Sequence, residues 1–323
     1  MTERSLGEWL AYLEQLHPSA IDMGLERSRQ VATRLGLGQP APRVVTVTGT
    51  NGKGSTCAFV ASLLGAQGLR VGVYSSPHLL RYNERVQIDG VEASDAQLCQ
   101  AFEAVEAARG EVSLTYFEAG TLAAFWLFKQ SGLDAVVLEV GLGGRLDTVN
   151  LVDADLSVVT SIGVDHCDFL GNTRESVAFE KAGILRAGKP ALCGDLNPPQ
   201  PLLDKAAALN CQFLLRGRDF DLAIAGQENG AAVTYQVSVN GGAWTATTAE
   251  QRDLADGHYA YPPLAGNRAV ELLDGSVARR LDIQKARLER LELSRLRIGP
   301  KHLGFQRQGL EVQRLEVGLE LAR

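Results

Sequence analysis

One segment limits the folds open to this chain more than any other: Val47-Thr48-Gly49-Thr50-Asn51-Gly52-Lys53-Gly54-Ser55-Thr56. It follows a short β-branched run, Arg43-Val-Val-Thr-Val-Thr48, which reads as a buried strand. Residues 55–67, closed by Gly68, read as a helix, and Val71-Gly-Val-Tyr-Ser75 as the next strand. Strand, glycine turn, helix and strand in that order belong to a parallel, doubly wound sheet. Glycines let successive backbone N–H groups turn inward around phosphate oxygens. The helix start adds partial positive charge, and Lys53 supplies a full one. The pattern departs from the common GxxxxGK[ST] loop: Val47 stands where its first glycine would be, and Gly54 separates Lys53 from Ser55.

The alternation extends along the chain. Residues 5–16 form an amphipathic pattern with Leu6, Trp9, Leu10 and Leu13 on one face, and a second helix is expected over 25–35, before Pro40-Ala-Pro42. Helices are expected at 95–109, 117–131 and 174–186, and strands at 135–140, 156–160 and 190–193. Ala135-Val-Val-Leu-Glu-Val140 is apolar enough for a sheet covered on both faces. Near 220–247 the period becomes two, with Asn229-Gly230 and Asn240-Gly241 as turns, which predicts a small region of β-hairpins. From 256 the chain becomes basic and leucine-rich, and Leu281, Ile283, Leu288, Leu291, Leu293 and Leu296 could line a helix. The expected architecture is therefore α/β, a doubly wound and mostly parallel sheet with a phosphate loop. The expected division is 1–255 as the nucleotide-binding unit and 256–323 as a separate tail.

Composition narrows the partners. A net charge of −6 gives no general reason to expect nucleic acid or an anionic membrane. The basic tail lacks interleaved aromatics for base stacking, and Asp282, Glu289 and Glu292 interrupt its charge. No apolar run is long enough to span a bilayer, and no signal-peptide core is present, so a cytoplasmic location is expected. The five cysteines, Cys57, Cys99, Cys167, Cys193 and Cys211, never form a CxxC pair and read as reduced thiols.

Other segments carry chemistry at strand ends, where open α/β sheets bind ligands. Val137-Leu-Glu139-Val-Gly-Leu-Gly-Gly144-Arg145-Leu-Asp147 ends an apolar strand in a lone carboxylate. Glu139 is placed either to hold magnesium, directly or through water, or to cap a turn. Asp165-His166 follows Thr160-Ser-Ile-Gly at another strand end, and Tyr74-Ser-Ser-Pro-His78 a third. Glu180-Lys181, within a helical pattern, reads from composition as a solvated face.

Together these segments resemble the folylpolyglutamate synthase/dihydrofolate synthase family, relatives of the Mur peptide ligases. The likeness covers residues 5–215 and rests on several ordered motifs. They are Gly49-Thr-Asn-Gly-Lys-Gly-Ser55, Ser75-Ser-Pro-His78, Leu114-Thr-Tyr-Phe-Glu118, the Glu139 to Asp147 segment, Asp165-His166 and Glu180-Lys-Ala-Gly183. The bifunctional bacterial form is the nearest likeness. It implies an ATP- and Mg2+-dependent ligase that joins L-glutamate to dihydropteroate and to reduced folates through an acyl phosphate. It implies that Gly49, Thr50, Asn51, Gly52, Lys53, Gly54, Ser55 and Thr56 hold ATP. Ser76 and Glu139 would ligate one Mg2+, and His166 a second. Lys181 would match the family's carbamylated lysine, against the solvated-face reading. Asp22, in the loop Ile21-Asp-Met-Gly-Leu-Glu-Arg27, would face the folate, and Thr115, Phe117 and Asp147 would lie by its pterin and benzoate part. Lys53, Lys181 and His166 form the expected catalytic set, and the likeness favours a monomer.

The chain departs from the family beyond residue 255. The family's second, Rossmann-like domain needs on the order of 100–150 residues, and its His-Asn-Pro segment occurs nowhere here. Leu264-Ala-Gly-Asn-Arg-Ala269 weakly resembles the interdomain linker. Two other readings therefore stand beside the ligase: a non-catalytic ATP- and folate-binding protein, and a Mur-type ligase or P-loop kinase acting on another substrate. The Ser75 and Leu114 segments resemble the folate branch specifically and favour it over the last.

Overall fold

In this computed structural model, which describes residues 4–228, 232–239 and 242–247, helices α1 (Leu6–Gln15) and α2 (Glu26–Arg34) lead into β1 (Arg43–Thr48). There follow α3 (Lys53–Ala66), β2 (Val71–Tyr74), β3 (Val86–Ile88), β4 (Val91–Glu92), α4 (Asp95–Arg109), α5 (Tyr116–Gln130) and β5 (Ala135–Glu139). The chain continues through β6 (Leu156–Val159), the single turn α6 (Cys167–Leu170), α7 (Arg174–Lys181), β7 (Pro190–Cys193), α8 (Gln200–Ala208) and β8 (Gln212–Leu215). It then forms β9 (Phe220–Glu228), β10 (Ala232–Val239) and β11 (Gly242–Thr247).

Strands β1 to β8 make one sheet in the order β4-β3-β2-β5-β1-β6-β7-β8. The pairings among β2, β5, β1, β6, β7 and β8 are all parallel. Only β3 and β4 run antiparallel, at one edge. β1 lies between β5 and β6, with Val47 opposite Glu139 on one side and Val158 on the other. The C-terminal ends of β1, β2, β5 and β6 therefore open onto one crevice, the position where doubly wound sheets take their ligands.

Period-two alternation sorts the strand residues between two helical layers. Val136 and Leu138 of β5 join the core built with Leu122, Phe125 and Phe128 of α5. Val137, between them, joins Val45, Val47, Val71, Val73 and Cys57 under α3. Phe125 and Phe128 are almost fully buried, each side chain contributing roughly 1.5–3 kcal/mol on burial. A separate cluster under α7 and α8 gathers Val159, Val177, Ala191, Cys193 and Leu202. Capping boxes start α1 (Ser5 with Glu8), α4 (Ser94 with Gln97), α5 (Thr115 with Glu118) and α7 (Thr173 with Ser176). α3 has no side-chain cap.

Several expectations shift. α3 begins at Lys53, not Ser55, because Gly52 takes a left-handed conformation (φ 81°) that turns the loop straight into the helix. α7 ends at Lys181 and not at 186; a 3-10 turn, Ala182–Ile184, follows it. There Gly183 passes against Arg145, whose Cα would lie 2.4 Å from any added β-carbon. The β3–β4 hairpin was not anticipated, although its turn is Asp89-Gly90, both at positive φ (50° and 79°), a strong hairpin signal. The expected hairpins appear as the antiparallel sheet β11-β10-β9. Their turn residues Asn229, Gly230, Asn240 and Gly241 lie outside the described residues. So do the division at 255/256, the linker-like Leu264–Ala269 segment and the leucine-lined helix expected within 256–323. All five cysteines are free. No helix among the described residues is long and apolar enough to cross a membrane.

Candidate active site

The phosphate-loop residues occupy the end of β1 and the first turn of α3. The loop is held from β6: Thr50 N–H donates to Ser161 O (2.9 Å), Asn51 N–H to Ser161 Oγ (3.1 Å), and Thr160 Oγ1 to Asn51 O (2.6 Å). The amides of Thr50 and Asn51 are thus already engaged. Those of Lys53, Gly54 and Ser55, in the first turn of an uncapped helix, have no intrahelical acceptor. The Thr56 amide bonds back to Gly52 O (3.0 Å). Among the described residues, Lys53 Nζ reaches only carbonyl oxygens, Gly49 O at 3.0 Å and Thr50 O at 3.4 Å.

Glu139, at the end of the neighbouring β5, is 4% exposed. Its Oε2 accepts from the Ser76 N–H at 3.2 Å. Burial pushes its carboxyl up to about 7, opposed by that N–H and by the charges of Lys53 and Arg85. A β-carbon on Gly54 would lie 3.5 Å from Glu139 Oε2, so carboxylate and loop adjoin. A cation on carbonyl oxygens and a buried carboxylate that, among the described residues, has no cation bonded to it are complementary to a metal–phosphate group. The described residues contain no cluster of three or more His, Cys, Asp or Glu side chains that could hold a metal. Such a metal would need substrate oxygens and water to complete its shell, which is how Mg2+ binds with nucleotides.

His166 follows β6 with a left-handed backbone (φ 49°), and its ring is exposed, Nε2 standing 3.7 Å from Asp165 Oδ2. His166 and Asp165 line both a groove of about 460 Å3 and a smaller adjoining pocket. Lys181 projects into that smaller pocket and is 3% exposed, contrary to the solvated-face reading of Glu180-Lys181. Burial lowers its ammonium to about 8, reinforced by Lys53 and opposed by Asp165. Glu180 is tied to Arg145 at 2.8 Å. The helix end turns inward because Gly144 admits the Glu180 and Lys181 carbonyls close to its backbone, at 3.1 and 3.3 Å from an added β-carbon.

The large groove also gathers Asp22, Ser76, Thr115, Phe117 and Asp147. Asp22 pairs with Arg27 (2.7 Å) and with His17 (3.4 Å). Thr115 caps α5, accepting from the Glu118 N–H at 3.2 Å. Phe117 lies flush with Gly141, where a β-carbon would come within 2.6 Å of its ring. Asp147 accepts from Leu142 N–H and Val149 N–H, both at 2.9 Å, and burial raises its carboxyl to about 6 despite these bonds. It thereby shapes the Gly141–Leu142 turn as well as lining the groove.

Among the groove residues outside the expected site set, Arg85 and Glu118 stand out by their charge and their bonds. Arg85 arrives on the 3-10 turn Tyr82–Arg85, donates to His78 Nδ1 at 2.8 Å and lies over the Tyr82 and Tyr116 rings at 5.4 and 5.7 Å. It stands just beyond the Ser75–His78 motif, but nothing in the local spacing assigns it a role. Glu118 had a signal, the Thr115-x-x-Glu118 capping box.

The family model for the Mur ligase middle domain matches residues 47–211. The chain is 54% identical over 219 residues to the dihydrofolate synthase/folylpolyglutamate synthase of Escherichia coli K12, covering 68% of this chain and 52% of that protein. It is 37% identical to the folylpolyglutamate synthase of Lacticaseibacillus casei over 224 residues, 67% of this chain and 52% of that one. Among solved structures it resembles E. coli FolC in complex with DHPP and ADP, with TM-score 0.71, 45% identity, and 85% and 61% coverage of the two chains. It also resembles a bifunctional folylpolyglutamate synthase/dihydrofolate synthase with Mn, AMPPNP and L-glutamate bound, with TM-score 0.72, 46% identity, and 84% and 66% coverage. The chain spans about half the length of the curated relatives it matches.

Proposed function

The chain belongs to the Mur ligase family, whose middle domain it carries over residues 47–211, and from that premise we propose that it adds L-glutamate to dihydropteroate and to reduced folates at the expense of ATP. The observation that carries this reading is the nearness of the phosphate loop to the buried Glu139: Lys53 rests on Gly49 O and Thr50 O, and a β-carbon on the next residue, Gly54, would stand 3.5 Å from Glu139 Oε2. The ligands named for the related structures, ADP, AMPPNP, Mn, DHPP and L-glutamate, support it.

In this proposal a substrate carboxylate attacks the γ-phosphorus of ATP and ADP leaves, giving an acyl phosphate. The amine of L-glutamate then attacks the acyl carbon, phosphate departs, and an amide remains. The free amides of the α3 first turn receive phosphate oxygens, with Gly49, Thr50, Asn51, Gly52, Gly54, Ser55 and Thr56 shaping the cradle. Lys53 leaves its carbonyl contacts for the β/γ-phosphates. Ser76 and Glu139 would hold one Mg2+ and His166 a second. When bound, Mg2+ supplies charge neutralisation on the transferring phosphoryl group. The Lys181 amine, its proton loosened by burial, adds to CO2 with loss of a proton and places a carbamate anion in the small pocket. Asp22, Thr115, Phe117 and Asp147 line the groove for the pterin and benzoate rings, which is chiefly a positioning task. Residues 1–255 form the ATP- and folate-binding unit in this reading, and the protein acts as a cytoplasmic monomer.

The test is phosphate release from ATP by the purified chain with dihydropteroate, L-glutamate added or withheld, read beside mass spectrometry for dihydrofolate. Glutamate-dependent release with product is the expected result. Binding of ATP and dihydropteroate without product would reduce the function to binding alone.

A further inference from the structure

Glu118 is the most deeply buried acidic side chain on the groove, 3% exposed, and no step of the ligase reaction uses it. Its Oε2 accepts from the Thr115 N–H at 2.7 Å and from Arg27 Nε at 3.4 Å. Its Oε1 accepts from Ser28 Oγ and from Arg27 Nη2, both at 3.1 Å. Arg27 in turn reaches forward to the loop before it: Nη2 donates to Asp22 O at 2.8 Å, and Nη1 pairs with Asp22 Oδ2 at 2.7 Å. Ser28 Oγ lies 3.4 Å from Thr148 Oγ1, in the turn that Asp147 caps.

One carboxylate therefore joins three walls of the same groove. The Asp22 loop hangs from it through Arg27. The Thr115 cap and the first turn of α5, which present Phe117, are fixed by its bond to the Thr115 amide. The Asp147 turn is reached through Ser28. We infer that Glu118 is a positioning residue that sets the spacing between the Asp22 loop and the Thr115–Phe117 wall, and so the fit of the aromatic part of the substrate. This rests on the folate reading of the groove given above. A half-exposed ion pair would contribute little. Here the carboxylate is desolvated: removing Arg27 leaves a buried charge held by the Thr115 N–H and Ser28 Oγ alone among the described residues, and neutralising Glu118 weakens the acceptor those donors share. A loop loosened by that loss misplaces its contacts, and misplacement of about 1 Å can cost on the order of a hundredfold. The phosphate loop shares none of these bonds, so nucleotide binding stands apart.

The experiment uses the full chain, wild type and the variants Glu118→Gln, Arg27→Lys and the double variant. Calorimetry measures dihydropteroate binding in the presence of AMPPNP, and AMPPNP binding by itself. Amide hydrogen exchange over 20–24 is followed in the ligand-free proteins. The expected result is dihydropteroate affinity weakened roughly tenfold or more in each single variant, AMPPNP affinity unchanged, the double variant no worse than either single one, and faster exchange over 20–24. Arg27→Lys, at a partly exposed site, keeps the test available should Glu118→Gln fail to fold. Wild-type affinity for dihydropteroate in the variants, equal weakening of AMPPNP, or additive losses in the double variant would overturn the inference. A wild-type chain that ignores dihydropteroate would overturn the folate reading instead; the exchange rates over 20–24 would still decide whether Glu118 ties the loop.

Discussion

Gly49 passes so close to Thr160 that a β-carbon on it would stand 1.7 Å from the threonine Oγ1. That hydroxyl is also the donor to Asn51 O, so the end of β6 holds the turn between β1 and α3 at the point where a side chain has no room. Gly49→Ala is expected to cost at least about 2 kcal/mol, in the range of overpacking, and to abolish nucleotide binding because the loop must move to admit the methyl group. Thermal unfolding and AMPPNP titration on the same protein check both parts.

Lys53 offers a second prediction. Its ammonium rests on Gly49 O and Thr50 O and forms no ion pair among the described residues. Lys53→Ala should therefore leave stability nearly unchanged while weakening AMPPNP by roughly tenfold to a hundredfold, the worth of a lost charge-assisted hydrogen bond. Equal affinity in the variant would remove Lys53 from the phosphate site.

Glu139 separates stability from function through pH. Its carboxyl stands at about 7 in the fold against 4.5 when unperturbed. The folded state therefore binds the proton more tightly, and its stabilising contribution, complete below 4.5, is lost as pH rises through 7. In metal-free buffer Glu139→Gln should be more stable than wild type at pH 8, by up to ~3 kcal/mol in unfolding free energy, with the advantage gone at pH 4; denaturant unfolding at the two pH values checks it. The same variant should lose metal-dependent nucleotide binding.

Lys181 behaves with the opposite sign. Its ammonium falls from 10.5 to about 8 on burial, so the unfolded chain binds the proton more tightly between those values, and stability rises with pH across that window. Lys181→Met should exceed wild type at pH 7, by up to ~3 kcal/mol, and the difference should vanish by pH 11. In 13C-bicarbonate the wild type should show a carbamate resonance that Lys181→Met lacks. A wild-type spectrum without it would leave Lys181 an unmodified buried amine.

The sequence by itself determined the strand–glycine–helix unit around Lys53, the apolar β5 ending in Glu139, and the switch to period two beyond Phe220. These are local: periodicity and backbone freedom act over a few residues, and a short window contains them. Even there the helix start moved to Lys53 once the conformation of Gly52 was known. Only the tertiary structure decided that β5 inserts between β2 and β1, which sets Glu139 against Gly54 and the Ser76 amide. It buried Lys181, which composition alone reads as a charge on a solvated helix face and only the motif likeness sets apart, and it hung the Asp22 loop from Glu118 through Arg27. Desolvation and the pairing of distant charges depend on what the rest of the chain packs against a residue, and no local pattern carries that information.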